Sequence, residues 1–188
     1  NNAIDVDYFT NIKTPSNANH FNSVTILTAG RLIPSKNYET LIRAVSLLPI
    51  DIDIKVKIFG DGPHRSTLQK MIESEEIENI IKIYPYDSDW IFLLKSANMF
   101  ISMSLYEGSP NVVLEAMAAK CPLIVSDIAA HRDILQEGSA LFVSVDEFED
   151  LNLSIIDIID NQEQSIKRSL AAFETVKNFS IQNTYKEH

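Results

Sequence analysis

The stretch YEGSPNVVLEAM at positions 106–117 joins a polar loop to the start of a helix in a way that suits anion binding. Ser109 is a good N-cap residue, and Pro110 suits the first helical position because its missing N–H would have no intrahelical partner there. The next three amides would then be unpaired donors at the positive end of the helix dipole. Gly108 lets a ligand approach the backbone closely. The stretch predicts a phosphate site whose binding residues are Gly108, Ser109, Pro110, Asn111 and Val112.

Two carboxylates flank this predicted site, with Glu107 in the loop and Glu115 in the second turn of the helix. A carboxylate only accepts hydrogen bonds, and it can take two from the vicinal hydroxyls of a sugar. An anion site with a diol acceptor on either side suits a sugar nucleotide, which carries a sugar at each end of its pyrophosphate. The alternative is an ordinary helix start with both glutamates facing solvent.

Two cations, Arg31 and Lys36, follow the first strongly apolar run of the chain. Arginine offers a planar fork for phosphate oxygens, and lysine offers a compact charge. Together they would neutralise a pyrophosphate and stabilise it as a leaving group. The alternative is a pair of solvated surface cations.

Glycines stand at the ends of two apolar runs, where Gly30 precedes Arg31 and Gly60 opens the sequence GDGP. Both are candidate binding residues because they directly follow predicted strands, although GDGP also fits a simple turn into a helix. Neither GxGxxG nor GxxxxGK[ST] occurs in the chain, so the usual dinucleotide and P-loop fingerprints are missing.

The elements that position these residues alternate between continuously apolar strands and amphipathic helices. This alternation predicts an α/β fold, a Rossmann-like three-layer sandwich with a mostly parallel sheet covered on both faces. Ligands bind such sheets beyond the carboxyl ends of the strands, where all three motifs lie. The predicted strands are 24–29, 54–59, 80–84, 99–103, 123–126 and 140–143. Helices are predicted from about 37, around 68–72, along 90–97, and over 110–119, 148–159 and 164–176.

Composition excludes several classes of function. The 188 residues carry a net charge of −10, which argues against a broadly basic surface for nucleic acid or anionic membrane. No apolar run approaches the ~20 residues of a membrane helix. The sequence begins without the basic and apolar regions of a signal peptide, which predicts a cytoplasmic location.

The cysteine and the histidines do not predict a metal site. The single Cys121 lies in an apolar setting, which predicts a core thiol. The four histidines form no cluster, and His64 and His131 are predicted to be surface residues. No HExxH pattern occurs, so no metal cofactor is expected.

Taken in order, the motifs at Gly30-Arg31 and Lys36, at positions 60–63, and at Glu107 and Glu115 resemble the retaining glycosyltransferases of family 4. The resemblance covers nearly the whole chain. It implies the C-terminal half of a GT-B fold, in which two Rossmann-like domains face each other across a cleft. Residues 1–20 resemble the interdomain linker, 21–178 the nucleotide-sugar-binding domain, and 179–188 the start of the C-terminal crossover helix.

The resemblance also implies roles for the site residues. Arg31 and Lys36 would bind the diphosphate, Glu107 would contact sugar hydroxyls, and Glu115 would hold the ribose. The base would lie near residues 84–86, where the family usually has an apolar-Gly pattern. The family's retaining mechanism, front-face attack, needs no metal. In it the catalytic residue Glu107 would position the donor without acting as a covalent nucleophile, and the catalytic cations Arg31 and Lys36 would stabilise the leaving group together with the helix amides.

The implied partners are a nucleoside-diphosphate sugar and an N-terminal acceptor-binding domain that this chain lacks. The implied acceptor is a polysaccharide or a lipid-linked sugar, and the whole enzyme would make peripheral membrane contact. Two alternatives stay open. One is the donor-binding subunit of a split glycosyltransferase, and the other is a sugar-nucleotide epimerase of the same architecture.

Overall fold

The computed structural model describes residues 4–11, 23–86 and 90–179, which contain a six-stranded sheet in which every pairing is parallel. The strands are β1 (Val24–Ala29), β2 (Ile54–Phe59), β3 (Ile81–Tyr84), β4 (Met99–Ser102), β5 (Leu123–Ser126) and β6 (Leu141–Val143). Their spatial order is β3-β2-β1-β4-β5-β6. The predicted parallel sheet is confirmed, with strand ends that differ from the prediction by one residue at most.

Helices connect the strands and cover the sheet. They are α1 (Val6–Asn11), α2 (Tyr38–Ser46), α3 (Arg65–Ser74), α4 (Trp90–Leu94), α5 (Asn111–Ala118), α6 (Ala129–Arg132), α7 (Phe148–Asp160) and α8 (Gln162–Val176). Short 3₁₀ turns span Pro34–Lys36 and Lys177–Phe179.

Two hydrophobic clusters lie on opposite faces of the sheet. Side chains alternate between faces along a strand, so Leu27 belongs to one cluster and Ile26 to the other. The first cluster packs α1, α4, α5 and α8 against the sheet, and the Trp90 ring stacks on Phe100 at 5.9 Å between centroids. The second packs α2, α3 and α7. The predicted three-layer arrangement is therefore confirmed.

Helix α4 is shorter than its apolar pattern predicts, because the pattern runs on to Ala97 and the helix ends at Leu94. The Ser96 amide and hydroxyl both donate to the Leu93 carbonyl, at 3.0 and 3.1 Å. The Ala97 amide also donates to this carbonyl at 2.9 Å, so the helix closes on the Leu93 carbonyl.

The two outer segments of the described chain meet, since the Ile4 amide donates to the Phe179 carbonyl at 2.9 Å. Phe9 of α1 is buried in the first cluster. The rest of the predicted linker and residues 180–188 of the predicted crossover helix lie outside the described residues.

Candidate functional site

The sheet order places a topological switch between β1 and β4, because the strand order runs outward from β1 on one side and from β4 on the other. The loops after these two strands carry the two strongest predicted motifs. A hydrogen bond of 2.9 Å from the Leu105 amide to the Ser35 carbonyl ties the loops together. The two loops therefore lie together at the crevice where ligands bind in such sheets.

Lys36 and Glu107, both predicted to be catalytic, contact each other directly. Lys36 Nζ donates to Glu107 Oε1, and the Ser104 hydroxyl donates to the same oxygen at 2.7 Å. The two charged side chains are 19% and 9% exposed, so water screens their attraction only weakly. The structure thus joins the two motifs through a single ion pair.

A cleft of about 400 Å³ opens beside this ion pair, within the ~300–1,000 Å³ range of small-molecule sites. Arg31 is exposed at its wall and forms no salt bridge with any described residue. The lining residues are Gly30, Arg31, Lys36, Asp61, Tyr86, Ser109, Asn111 and Val112. Six of the predicted site residues therefore line one cavity.

The start of α5 differs from the prediction. Pro110 is the residue that precedes the helix, so Ser109 is not the N-cap, and the Ser109 hydroxyl donates to Asn111 Oδ1 at 3.0 Å. The Asn111 amide donates to the Ser109 carbonyl, and the Val113 amide donates to the Pro110 carbonyl. Of the three amides predicted to be unpaired, only that of Val112 lacks a backbone partner among the described residues.

The glycines have different roles in the site. A Cβ on Gly60 would lie 2.1 Å from the Gly30 carbonyl oxygen, so the loops after β1 and β2 can approach each other only with glycine there. A Cβ on Gly108 would meet nothing within 4 Å, which leaves open space beside the start of α5. Gly60 therefore supports the cleft wall, whereas Gly108 leaves room for a ligand.

Glu115 lies half-buried on α5, and its Oε2 is buried without a hydrogen-bond partner among the described residues. Burial raises its pKa to about 7. Burial raises the pKa of the Tyr86 phenol at the cleft wall, and the nearby Glu115 carboxylate raises it further. The Tyr86 amide donates to Asp61 Oδ2 at 3.0 Å, which holds residues 84–86 beside the cleft.

His131 is not a surface residue as predicted, because α6 folds over the end of β5 and buries the ring completely. Its Nδ1 donates to the Ser126 carbonyl at 2.8 Å, and its Nε2 has no hydrogen-bond partner among the described residues. Burial lowers the pKa of His131. His64 is also mostly shielded, and its Nε2 lies 2.5 Å from Glu39 Oε1.

The sequence analysis did not single out Ser104, whose hydroxyl contacts Glu107, and it did not predict the burial of His131. Ser104 stands three residues before Glu107 in a loop that directly follows a strand, which is a usable signal. The position of His131 depends on how α6 folds back, and the local pattern does not show this. Cys121 is buried as predicted, and burial raises its thiol pKa. Across residues 4–11, 23–86 and 90–179, no group of three or more metal-ligating side chains comes together.

The family model described as glycosyl transferases group 1 matches residues 11–174. This chain belongs to that family. A curated relative from Campylobacter jejuni, N-acetylgalactosamine-N,N'-diacetylbacillosaminyl-diphospho-undecaprenol 4-alpha-N-acetylgalactosaminyltransferase, is 30% identical over 102 residues, which cover 54% of this chain and 27% of that protein. The matched segment thus spans about a quarter of that relative's length.

Solved structures share the fold of this group 1 domain. Anabaena HepE in complex with UDP superposes with a TM-score of 0.88 at 18% identity, covering 99% of this chain and 55% of that one. A glycosyltransferase from Rickettsia africae superposes with a TM-score of 0.89 at 24% identity, covering 98% and 53%. The predicted membership of a GT-B fold is confirmed. In the described part of the chain no helix is long and apolar enough to cross a membrane.

Proposed function

We propose that this chain is the donor-binding domain of a retaining, family 4 glycosyltransferase that uses a nucleoside-diphosphate sugar. One observation carries the proposal. The cleft combines the cations Arg31 and Lys36 with the Val112 amide. The Glu115 carboxylate, whose buried Oε2 has no hydrogen-bond partner among the described residues, lies near Tyr86 of the cleft wall. Cations and an amide suit a diphosphate, and the carboxylate suits the ribose hydroxyls.

The arrangement suggests how charge is handled during transfer. Arg31 and Lys36 stabilise the departing diphosphate, whose negative charge grows as the bond between the sugar carbon and the phosphate oxygen breaks. Glu107 accepts hydrogen bonds from the sugar hydroxyls and so fixes the donor. The acceptor oxygen bonds to the same face of the sugar carbon, and its proton passes to a phosphate oxygen. No metal is required in this scheme.

The rest of the reaction depends on an acceptor-binding domain that we place in the same enzyme. The Campylobacter relative is named for a diphospho-undecaprenol acceptor, which supports a lipid-linked or polysaccharide acceptor here. Transfer of a hexose at the cytoplasmic face of a membrane fits this acceptor. The 188-residue chain alone is expected to bind donor without transferring the sugar.

Nucleotide binding tests the proposal directly. Isothermal calorimetry with UDP, GDP and their sugar conjugates is expected to show binding of one nucleotide class. Arg31→Ala is expected to weaken the affinity about tenfold or more, since a charge-assisted hydrogen bond contributes ~1.5–3 kcal/mol. Lys70→Ala, an exposed cation on α3, is the matched control. Equal affinities for Arg31→Ala and Lys70→Ala would contradict the pyrophosphate assignment.

A further inference from the structure

Three hydrogen bonds connect α6 with the carboxylate of Glu107, and they are joined to one another through the residues Ser126 and Ser104. The His131 Nδ1 donates to the Ser126 carbonyl at 2.8 Å, and the Ser126 hydroxyl donates to the Ser104 carbonyl at 2.6 Å. The Ser104 hydroxyl then donates to Glu107 Oε1 at 2.7 Å. The series crosses from β5 to the loop after β4, so it connects the edge of the site to its charged centre.

The members of this series are shielded from water. His131 and Ser126 are 0% exposed and Ser104 is 1% exposed, so water cannot replace a lost hydrogen bond without structural change. A carbonyl only accepts, which means that Nδ1 carries the proton in the neutral ring. The Ser126 hydroxyl lies 3.2 Å from the same nitrogen and donates its own proton to the Ser104 carbonyl. The direction of every bond is therefore fixed.

The charged centre is close enough to act on the imidazole. Burial lowers the pKa of His131 and the Ser126 carbonyl opposes this, and the Glu107 carboxylate raises the pKa while the Lys36 ammonium lowers it. The ring itself touches neither of them through a hydrogen bond in the described chain. Any influence of His131 on Glu107 through hydrogen bonds would therefore pass through Ser126 and Ser104.

We propose that His131 is a positioning residue, which holds Ser126 against the Ser104 carbonyl and thereby fixes the loop whose Ser104 hydroxyl orients the Glu107 carboxylate toward the donor sugar. The inference rests on the proposed function, because Glu107 is assigned there to the sugar hydroxyls. His131 would hold Ser126 through the proton that its Nδ1 donates. Asparagine places an amide N–H near that position, whereas leucine fills the space without a donor.

The ratio of the dissociation constants for a UDP-sugar and for UDP isolates the contact with the sugar. Calorimetry with UDP, UDP-glucose, UDP-galactose and their N-acetylated forms would identify the UDP-sugar that binds most tightly. The ratio would then be measured for that UDP-sugar and UDP. His131→Leu is expected to raise this ratio about fivefold, as one lost hydrogen bond would. His131→Asn is expected to restore the wild-type ratio. Asn152→Leu, which removes a buried hydrogen bond on α7, controls for general loss of packing and leaves the ratio unchanged.

A double-mutant cycle distinguishes positioning from a merely structural role. Glu107→Ala raises the same ratio, and adding His131→Leu is expected to raise it no further, because the residues act on one contact. Full additivity of the two changes would overturn the proposal. If His131→Leu fails to fold, Ser126→Ala interrupts the same series and takes its place.

Amide hydrogen exchange keeps the inference separate from the proposed function. His131→Leu is expected to speed exchange in residues 104–109, including the Leu105 amide bound to Ser35, and Asn152→Leu is not. If the wild-type chain binds no nucleotide, the proposed function fails while the exchange result still decides whether His131 holds the loop. Unchanged exchange in residues 104–109 of His131→Leu would overturn the positioning role.

Discussion

Lys36 and Glu107 are 71 positions apart in sequence, and their side chains form one ion pair at the switch point of the sheet. The pair keeps two charges of opposite sign together in a poorly hydrated place. A bound diphosphate and sugar would give each partner a second group to contact. The consequences of this pairing, and of the buried groups around it, can be measured.

Removing Lys36 alone is expected to destabilise the fold. The Glu107 side chain is only 9% exposed, so Lys36→Met would leave a mostly buried carboxylate without its cation. We expect a loss of ~2–3 kcal/mol in the free energy of unfolding. Urea denaturation monitored by circular dichroism measures this loss. Lys36→Met combined with Glu107→Gln removes both charges and is expected to recover at least half of it. Equal losses in the single and double variants would show that the ion pair is not the cause.

Glu115 makes stability depend on pH. Its pKa is about 7 in the folded chain, above the ordinary carboxyl value, so the folded state binds the proton more tightly than the unfolded state. The stabilisation is fully present below the ordinary pKa and is lost as pH rises toward 7. We expect ~2 kcal/mol less stability at pH 8 than at pH 4.5 from this group. Urea titrations of wild type and Glu115→Gln between pH 4.5 and pH 8 would give the free energies of unfolding, and their difference isolates the contribution of Glu115.

The same carboxyl is expected to couple nucleotide binding to proton release. Ribose hydroxyls donate to the ionised carboxylate, so binding lowers the pKa of Glu115 and expels a proton at pH 6. Affinity for UDP should therefore rise with pH up to about 7 and then level off. Calorimetry in two buffers with different ionisation enthalpies counts the protons. Glu115→Gln is expected to lose this proton release, and an unchanged count would remove Glu115 from the ribose site.

The glycines of the site provide a matched pair of substitutions. Gly60→Ala places a methyl group 2.1 Å from the Gly30 carbonyl oxygen, and we expect a loss of ~2–3 kcal/mol in the free energy of unfolding. Gly108→Ala meets nothing within 4 Å, and stability is expected to change by less than ~0.5 kcal/mol. Thermal denaturation compares the two. A UDP-sugar should nevertheless bind more weakly to Gly108→Ala, because the methyl group occupies space proposed for the ligand.

The sheet was predictable because its strands are continuously apolar and its connections are amphipathic. Once a parallel sheet is predicted, the loops after the strands must lie at one edge, which is why Arg31 and Asn111 were found on one cleft. The helix start at Asn111 was harder to predict, because Ser109 and Pro110 suit several local geometries and the packing of the loop decides which one forms.

Contacts between distant side chains could not be predicted from local patterns. The Lys36–Glu107 ion pair depends on the spacing of β1 and β4, and the burial of His131 depends on the path of α6 over β5. A histidine between alanine and arginine has the same local sequence whether its ring faces solvent or the core. Tertiary packing decides between the two.

Cys121 provides an optical probe of global opening. It is the only cysteine in the sequence, and it is 1% exposed in the cluster that holds α5 and α8 against the sheet. A thiol-specific chromogenic reagent reacts with an accessible thiolate, so Cys121 is labelled only when α5 and α8 separate from the sheet. The rate of colour development then reports how often the native core opens, in unmodified protein and under native conditions.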